Sequence, residues 1–176
     1  MLDPRHTELL NLHAKPVRDL KYSLNTGSDV FLTTAFDRKL KLTSSTTRNA
    51  VLCYDLDGPG WSCAWGDTDP NLLFCGLTNG SLQMFDMRVT GRCLWKLQLP
   101  ACHQPVHSLS CHQGVVFAAA IGGIFAVNSS LPESSNRTLK MNLAGACSSL
   151  SILKSGAGST ESGALPVCLA SLRAPP

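Results

Sequence analysis

Short apolar runs alternate with turn-forming residues along the first 128 positions, and no 3.6-residue periodicity persists. The first runs fall at residues 17–22, 30–35, 40–42 and 51–54, each rich in valine, leucine or aromatic residues. Runs of this length bounded by polar turns are typical of β-strands rather than helices. The chain is therefore predicted to be all-β, with four strands in its first unit.

The strand pattern recurs along the chain. Pro59-Gly60-Trp61 lies 43 residues after Pro16-Val17-Arg18, and Leu73–Met84 lies 42 residues after Phe31–Leu42. A third, looser copy begins at Pro105 and ends at residue 127. A period of about 42 to 46 residues with four short strands is what one β-propeller blade requires. Residues 13–127 are predicted to form a partial propeller, with two clear blades and part of a third.

Several residues of the first two units occupy positions that define WD repeats. His13 stands four residues before Val17, Asp37 lies in the turn between two strands, and Phe85-Asp86 takes the place of the Trp-Asp dipeptide. The chain thus resembles the WD-repeat family. The resemblance implies a WD40-type propeller, in which each blade is a four-stranded antiparallel sheet.

The segments at 37–44, 60–65 and 76–88 carry a more specific resemblance, because a Trp-Ser-Cys-x-Trp run and a Gly-Leu-x-Asn-Gly-Ser turn share one blade. They resemble the carboxy-terminal WD-repeat region of the RING-finger and WD-repeat ubiquitin ligases of vertebrate DNA repair. The resemblance implies a nuclear protein that recruits replication protein A for ubiquitination. In that family zinc is held by the RING, whose paired cysteines do not occur here, so no cofactor and no catalytic residue are expected in this chain.

Composition sets limits on the class of protein. Apolar residues make up 44% of the chain and charged residues 15%, with a net charge of +3. The longest apolar run, 115–121, is too short for a bilayer-spanning helix of roughly 20 residues. We expect no membrane association, no export signal and an intracellular chain with reduced cysteines. Residues 1–12 are predicted to form an N-terminal segment and residues 128–176 a low-complexity, disordered tail, since 15 of the 21 residues at 144–164 are Gly, Ala, Ser or Thr.

A cluster of potential metal ligands offers a different interpretation. Cys102, His103, His107, Cys111 and His112 lie within eleven residues. They raise the alternative of a metal-binding or catalytic protein that uses this cluster, although no C-x-x-C pair is present. A further alternative is a truncated propeller without independent function, because closure takes about four to eight blades.

Turn and loop residues are the expected partner contacts, because propellers display loops on rigid blades. The candidates, which would meet a protein partner and not nucleic acid directly, are Arg38, Lys39, Asn79, Arg88 and Arg92. The spacing of Trp61 and Trp65 predicts that both lie on one face of a strand and pack between blades. Leu40, Leu82 and Met84 are predicted to be core residues.

Overall fold

The computed structural model describes residues 9–23, 28–129, 138–141, 146–153 and 167–173. Within these ranges the chain is entirely β-structure and turns, and none of them contains a helix that could cross a bilayer. The strands, numbered in chain order, are β1 Val17–Tyr22, β2 Val30–Ala35, β3 Lys39–Ser44, β4 Ala50–Asp55, β5 Gly60–Trp65, β6 Leu72–Leu77, β7 Ser81–Asp86, β8 Trp95–Gln98, β9 Val106–His112, β10 Val115–Ala120, β11 Gly123–Asn128, β12 Thr138–Met141, β13 Ala146–Leu153 and β14 Val167–Arg173.

The strands form three four-stranded antiparallel sheets, each a simple meander in chain order, and one two-stranded sheet. The sheets contain β1 to β4, β5 to β8, β9 to β12, and β13 with β14. Each four-stranded meander corresponds to one repeat of the sequence. The prediction of an all-β, partial WD40-type propeller is therefore confirmed, and the third blade has all four of its strands.

The first strands of successive sheets lie side by side and run in the same direction. The Asp19 carboxylate of β1 accepts a hydrogen bond from the Cys63 amide of β5 at 2.9 Å, and the Trp65 indole donates to the Lys21 carbonyl at 3.0 Å. Ser62 of β5 donates to the Val106 carbonyl of β9 at 2.7 Å. We call these first strands, β1, β5 and β9, the inner strands. Their contacts place successive sheets face to face, as propeller blades require.

Separate apolar layers fill the spaces between the sheets. Leu40, Trp65 and Phe85 belong to the layer between the first and second sheets. Leu82 and Met84 belong to the layer between the second and third, and both are buried, as predicted. The second and third sheets approach closely at Gly76, where an added Cβ would lie 2.7 Å from both Ser62 Oγ and Val106 Cβ.

Three strands lie in the segment that its composition predicts to be disordered. Strand β12 completes the third sheet by pairing with β11, and β13 pairs with β14. Cys147 and Leu150 of β13 are buried against Ala119 and Ile124, so neighbouring sheets supply the apolar partners that this segment lacks within itself. Over these strands the structure differs from the expectation. Residues 1–8, 130–137, 142–145, 154–166 and 174–176 lie outside the described residues.

Candidate functional site

Each of the first three inner strands carries a bulge near its first residue. The antiparallel register skips Arg18 in β1, Trp61 in β5 and His107 in β9. A bulge re-aims the side chain of the skipped residue and locally interrupts strand pairing. Because the inner strands are adjacent and parallel, the three skipped residues lie next to one another at one end of the sheets. We call these three residues, together with Phe36 from the β2–β3 turn, the entrance row.

Aromatic and cationic contacts connect the entrance row. The Arg18 guanidinium carbon lies 4.1 Å from the centre of the Trp61 ring and 5.2 Å from that of Phe36. The rings of Phe36 and Trp61 are 5.6 Å apart, and Trp61 meets His107 edge-on at 5.5 Å. Cation–π contacts of this length hold a guanidinium over aromatic faces. The four side chains therefore form one continuous surface that spans three sheets.

Arg18 is exposed at the start of β1. Within the described ranges no ion pair to Arg18 is formed, and the neighbouring carboxylate of Asp19 instead faces the Cys63 amide and Lys21. Burial, with the positive charge of Arg18, lowers the pKa of His107, so this imidazole is neutral at physiological pH. Among the described residues, the entrance row thus presents a guanidinium without an ion pair beside three rings, which are the Trp61 indole, the Phe36 phenyl ring and the neutral His107 imidazole.

The two tryptophans of β5 do not share one environment, which corrects the prediction for Trp61. Trp65 is 5% exposed and packs between the first and second sheets. Trp61 is partly exposed in the entrance row. Strict alternation along a strand predicts one face for both residues, but the bulge between Gly60 and Ser62 breaks that alternation.

Three of the predicted partner contacts, Arg38, Lys39 and Asn79, lie at the same end of the sheets as the entrance row. Arg38 donates to the carbonyls of the β4–β5 connection, at 3.3 Å and 3.1 Å, and Lys39 forms an ion pair with Asp55. Asn79 accepts the amide hydrogen of Ser81 at 3.1 Å and stabilises the β6–β7 turn. All three side chains therefore have local partners.

Arg88 and Arg92 lie at the opposite end, because the β6–β7 turn and the β7–β8 loop are separated by the length of β7. Arg88 is held by Asp86 and Asp69, which raise the pKa of its guanidinium. Arg92 is exposed and makes no ion pair within the described part of the chain. The structure does not bring the five predicted residues together, and their role in partner binding stays a prediction.

The cysteine and histidine cluster of the third repeat is dispersed in the folded chain. Cys102 is buried beside the β6–β7 turn, whereas Cys111 lies near the other end of β9. His107 faces Trp61, and His112 lies 3.9 Å from Asp67. Across the described ranges no three His, Cys, Asp or Glu side chains converge in a way that could hold a metal ion.

A sequence signal for the entrance row exists, although residue type alone does not reveal it. In each repeat the bulged residue stands two positions after a proline, in Pro16-Val17-Arg18, Pro59-Gly60-Trp61 and Pro105-Val106-His107. Alignment of the three repeats therefore marks equivalent positions. What alignment does not show is that these positions escape strand pairing and meet in space.

Comparisons with known proteins agree with the repeat and the fold. The family model of the "E3 ubiquitin-protein ligase RFWD3 WD40 domain" matches residues 1–155. The E3 ubiquitin-protein ligase RFWD3 of Homo sapiens and that of Ailuropoda melanoleuca are each 31% identical to the chain over 123 residues, and that of Mus musculus is 30% identical. The aligned stretch covers 69% of this chain and 16% of each relative's length.

Proposed function

Because the chain belongs to the RFWD3 WD40 domain family, we propose that it is the substrate-recruiting module of a RING-type E3 ubiquitin ligase. A WD40 domain implies a protein–protein interaction function. The proposed substrate is replication protein A, the proposed process is repair of DNA interstrand cross-links and stalled replication forks, and the proposed compartment is the nucleus. Ligase chemistry belongs to a RING, and this chain's own contribution is binding.

The observation that supports a binding role is the entrance row itself. Arg18, Trp61 and His107 occupy the equivalent bulged position of three blades, so their side chains meet at one end of the sheets. Arg18 has no acidic partner among the residues that the structure describes, and Trp61 and Phe36 remain partly exposed beside it. Aromatic and arginine side chains that cluster on a rigid scaffold are the residues that dominate protein interfaces.

The test measures direct binding between the 176-residue chain and purified replication protein A by biolayer interferometry. We expect measurable binding by the parent chain and about tenfold or greater weakening in the variant Arg18→Ala, a loss typical of an interface anchor. Trp61→Ala should weaken binding by a similar factor. Absence of binding by a correctly folded parent chain would reject replication protein A as the partner.

The chain offers a matched control for Arg18. Arg48 is also exposed, but it lies in the loop between β3 and β4, at the opposite end of the sheets. Arg48→Ala removes the same charge from the chain as a whole and should leave binding unchanged if the entrance row is the contact. Thermal unfolding monitored by tryptophan fluorescence separates a loss of binding from a loss of folding.

A further inference from the structure

The chemistry of the entrance row specifies what kind of segment a partner presents to it. We propose that the entrance row binds a short acidic peptide segment in which a carboxylate is flanked by an apolar side chain. The inference rests on the proposed function for the location of the site, and it deepens that function by naming the chemical class of the partner's contact.

The carboxylate is required by the unpaired charge. Arg18 is exposed, is held over Trp61 and Phe36, and forms no ion pair within the described ranges. A guanidinium already positioned by stacking loses little further side-chain entropy when it binds, and its planar donors match a carboxylate. Complementary charge therefore favours an acidic group at this point of the surface.

The apolar neighbour is required by the rings. Trp61 and Phe36 are partly exposed. Burial and the charge of Arg18 lower the pKa of His107, so its neutral imidazole adds ring surface to the entrance row but no charge. Apolar side chains that cover such rings remove apolar surface from water, which favours binding. A peptide with only acidic residues would leave this area uncovered.

A nucleic acid is the less suitable ligand for the same surface. Binding to a phosphate backbone gains its strength from several lysine or arginine contacts, each of which releases counterions. At this end of the sheets, Lys39 is paired with Asp55 and Lys96 with Asp57, at 2.6 Å for the latter pair. Arg38 is held by the carbonyls of Leu56 and Asp57. The Arg18 guanidinium beside the rings therefore offers charge for one acidic side chain rather than for a polyanion.

The experiment compares two probes on the full chain. The peptide acetyl-Asp-Phe-Asp-Leu-Asp-amide and its neutral counterpart acetyl-Asn-Phe-Asn-Leu-Asn-amide are titrated into the ¹⁵N-labelled chain, and the Trp61 indole signal is followed by NMR. We expect the acidic peptide to bind about tenfold more tightly than the neutral one. In Arg18→Ala the two affinities should differ by less than about twofold, whereas Arg48→Ala should keep the parent's preference.

Specific results would overturn the proposal. It fails if the parent chain binds neither peptide, if it binds both equally, or if Arg18→Ala retains the preference for the acidic peptide. It also fails if an oligothymidylate probe displaces the acidic peptide and its own binding depends on Arg18. The assay with replication protein A is independent of the peptide assay. Binding of replication protein A that survives Arg18→Ala would uphold the proposed function and reject this inference. Binding of the acidic peptide without binding of replication protein A would uphold this inference and reject replication protein A as the partner.

Discussion

His13 and Asp37 form a buried pair that joins the segment before β1 to the β2–β3 turn. The ring of His13 donates its Nδ1 hydrogen to the Asp37 carboxylate at 2.9 Å and accepts a hydrogen bond from the Thr33 hydroxyl at Nε2, also at 2.9 Å. The same carboxylate accepts the Ala14 amide at 3.0 Å. These bonds hold the turn that carries Phe36 against the start of the first inner strand.

Acid should destabilise the folded chain through this pair. Burial lowers the pKa of His13, so protonation favours the unfolded state. Burial by itself would raise the pKa of Asp37, but hydrogen bonds from His13, Ala14 and Lys39 outweigh it and lower that pKa. The stability that His13 contributes is complete above its ordinary pKa of 6.5 and declines as pH falls below that value. The contribution of Asp37 declines only at lower pH, below its ordinary pKa of 3.8.

The measurement is the melting temperature between about pH 7.5 and pH 5 in the background His107→Gln, because His107 titrates in the same direction. We expect the melting temperature of the His107→Gln protein to fall as pH is lowered. The melting temperature should depend much less on pH when His13→Gln is added to the same background. Equal slopes in the two proteins would show that His13 is not the titrating group.

Removal of the Asp37 carboxylate should cost far more than removal of an exposed one. Asp37→Ala leaves the buried His13 ring and two backbone amides without their acceptor, and we expect a loss of about 1–3 kcal/mol in the free energy of unfolding. The matched control is Asp55→Ala, whose side chain is 84% exposed beside Lys39 and should change stability by less than about 1 kcal/mol. Urea denaturation measures both values, and similar losses would contradict the assigned role of Asp37.

Leu82 tests the apolar layer between the second and third sheets. Its side chain is fully buried in that layer, so Leu82→Lys places an unpaired ammonium among apolar groups. We expect a loss of more than about 3 kcal/mol, or failure of the second and third sheets to pack. Val51→Lys is the control, because Val51 is 56% exposed and the substitution there should be nearly neutral. A melting temperature of Leu82→Lys equal to that of the parent would show that Leu82 does not face the apolar layer.

Gly76 tests the close approach of β6 to β9. In Gly76→Ala the new methyl group would meet Ser62 Oγ and Val106 Cβ at 2.7 Å, closer than real Cβ contacts. We expect destabilisation of about 1–3 kcal/mol by overpacking. At Gly58 the nearest atom would be Leu77 Cδ1 at 3.7 Å, so Gly58→Ala should be tolerated. Equal stability of the two variants would argue against the observed sheet spacing.

Cysteine reactivity should separate exposed from buried thiols. Burial raises the pKa of Cys75 to about 12, and it raises those of Cys63 and Cys111 as well. Cys53 is exposed. Because the thiolate is the reactive species, iodoacetamide at about pH 8 should modify Cys53 in the folded chain and leave Cys63 and Cys75 unmodified until the chain unfolds. Mass spectrometry of the digested protein measures the order, and early modification of Cys75 would contradict its burial.

Much of the fold follows from local patterns in the chain. The strands at 17–22 and 30–35 and the hairpin turn at Asn79 appear where apolar runs and turn residues predict them. Strand and turn preferences act over a few residues, so they are legible in sequence. The strands after residue 137 cannot be predicted in this way, because their stability depends on neighbouring sheets that the local composition does not reveal.

The repeat, the number of strands in a blade and the family can all be read from the order of residues in the chain. The membership of the entrance row, and the separation of Asn79 and Arg88 to opposite ends of β7, become visible only in the folded chain. The physical reason is that a bulge depends on how two strands pair, and the contact between Arg18 and Trp61 depends on how two sheets pack. Neither property belongs to the single segment in which each residue stands.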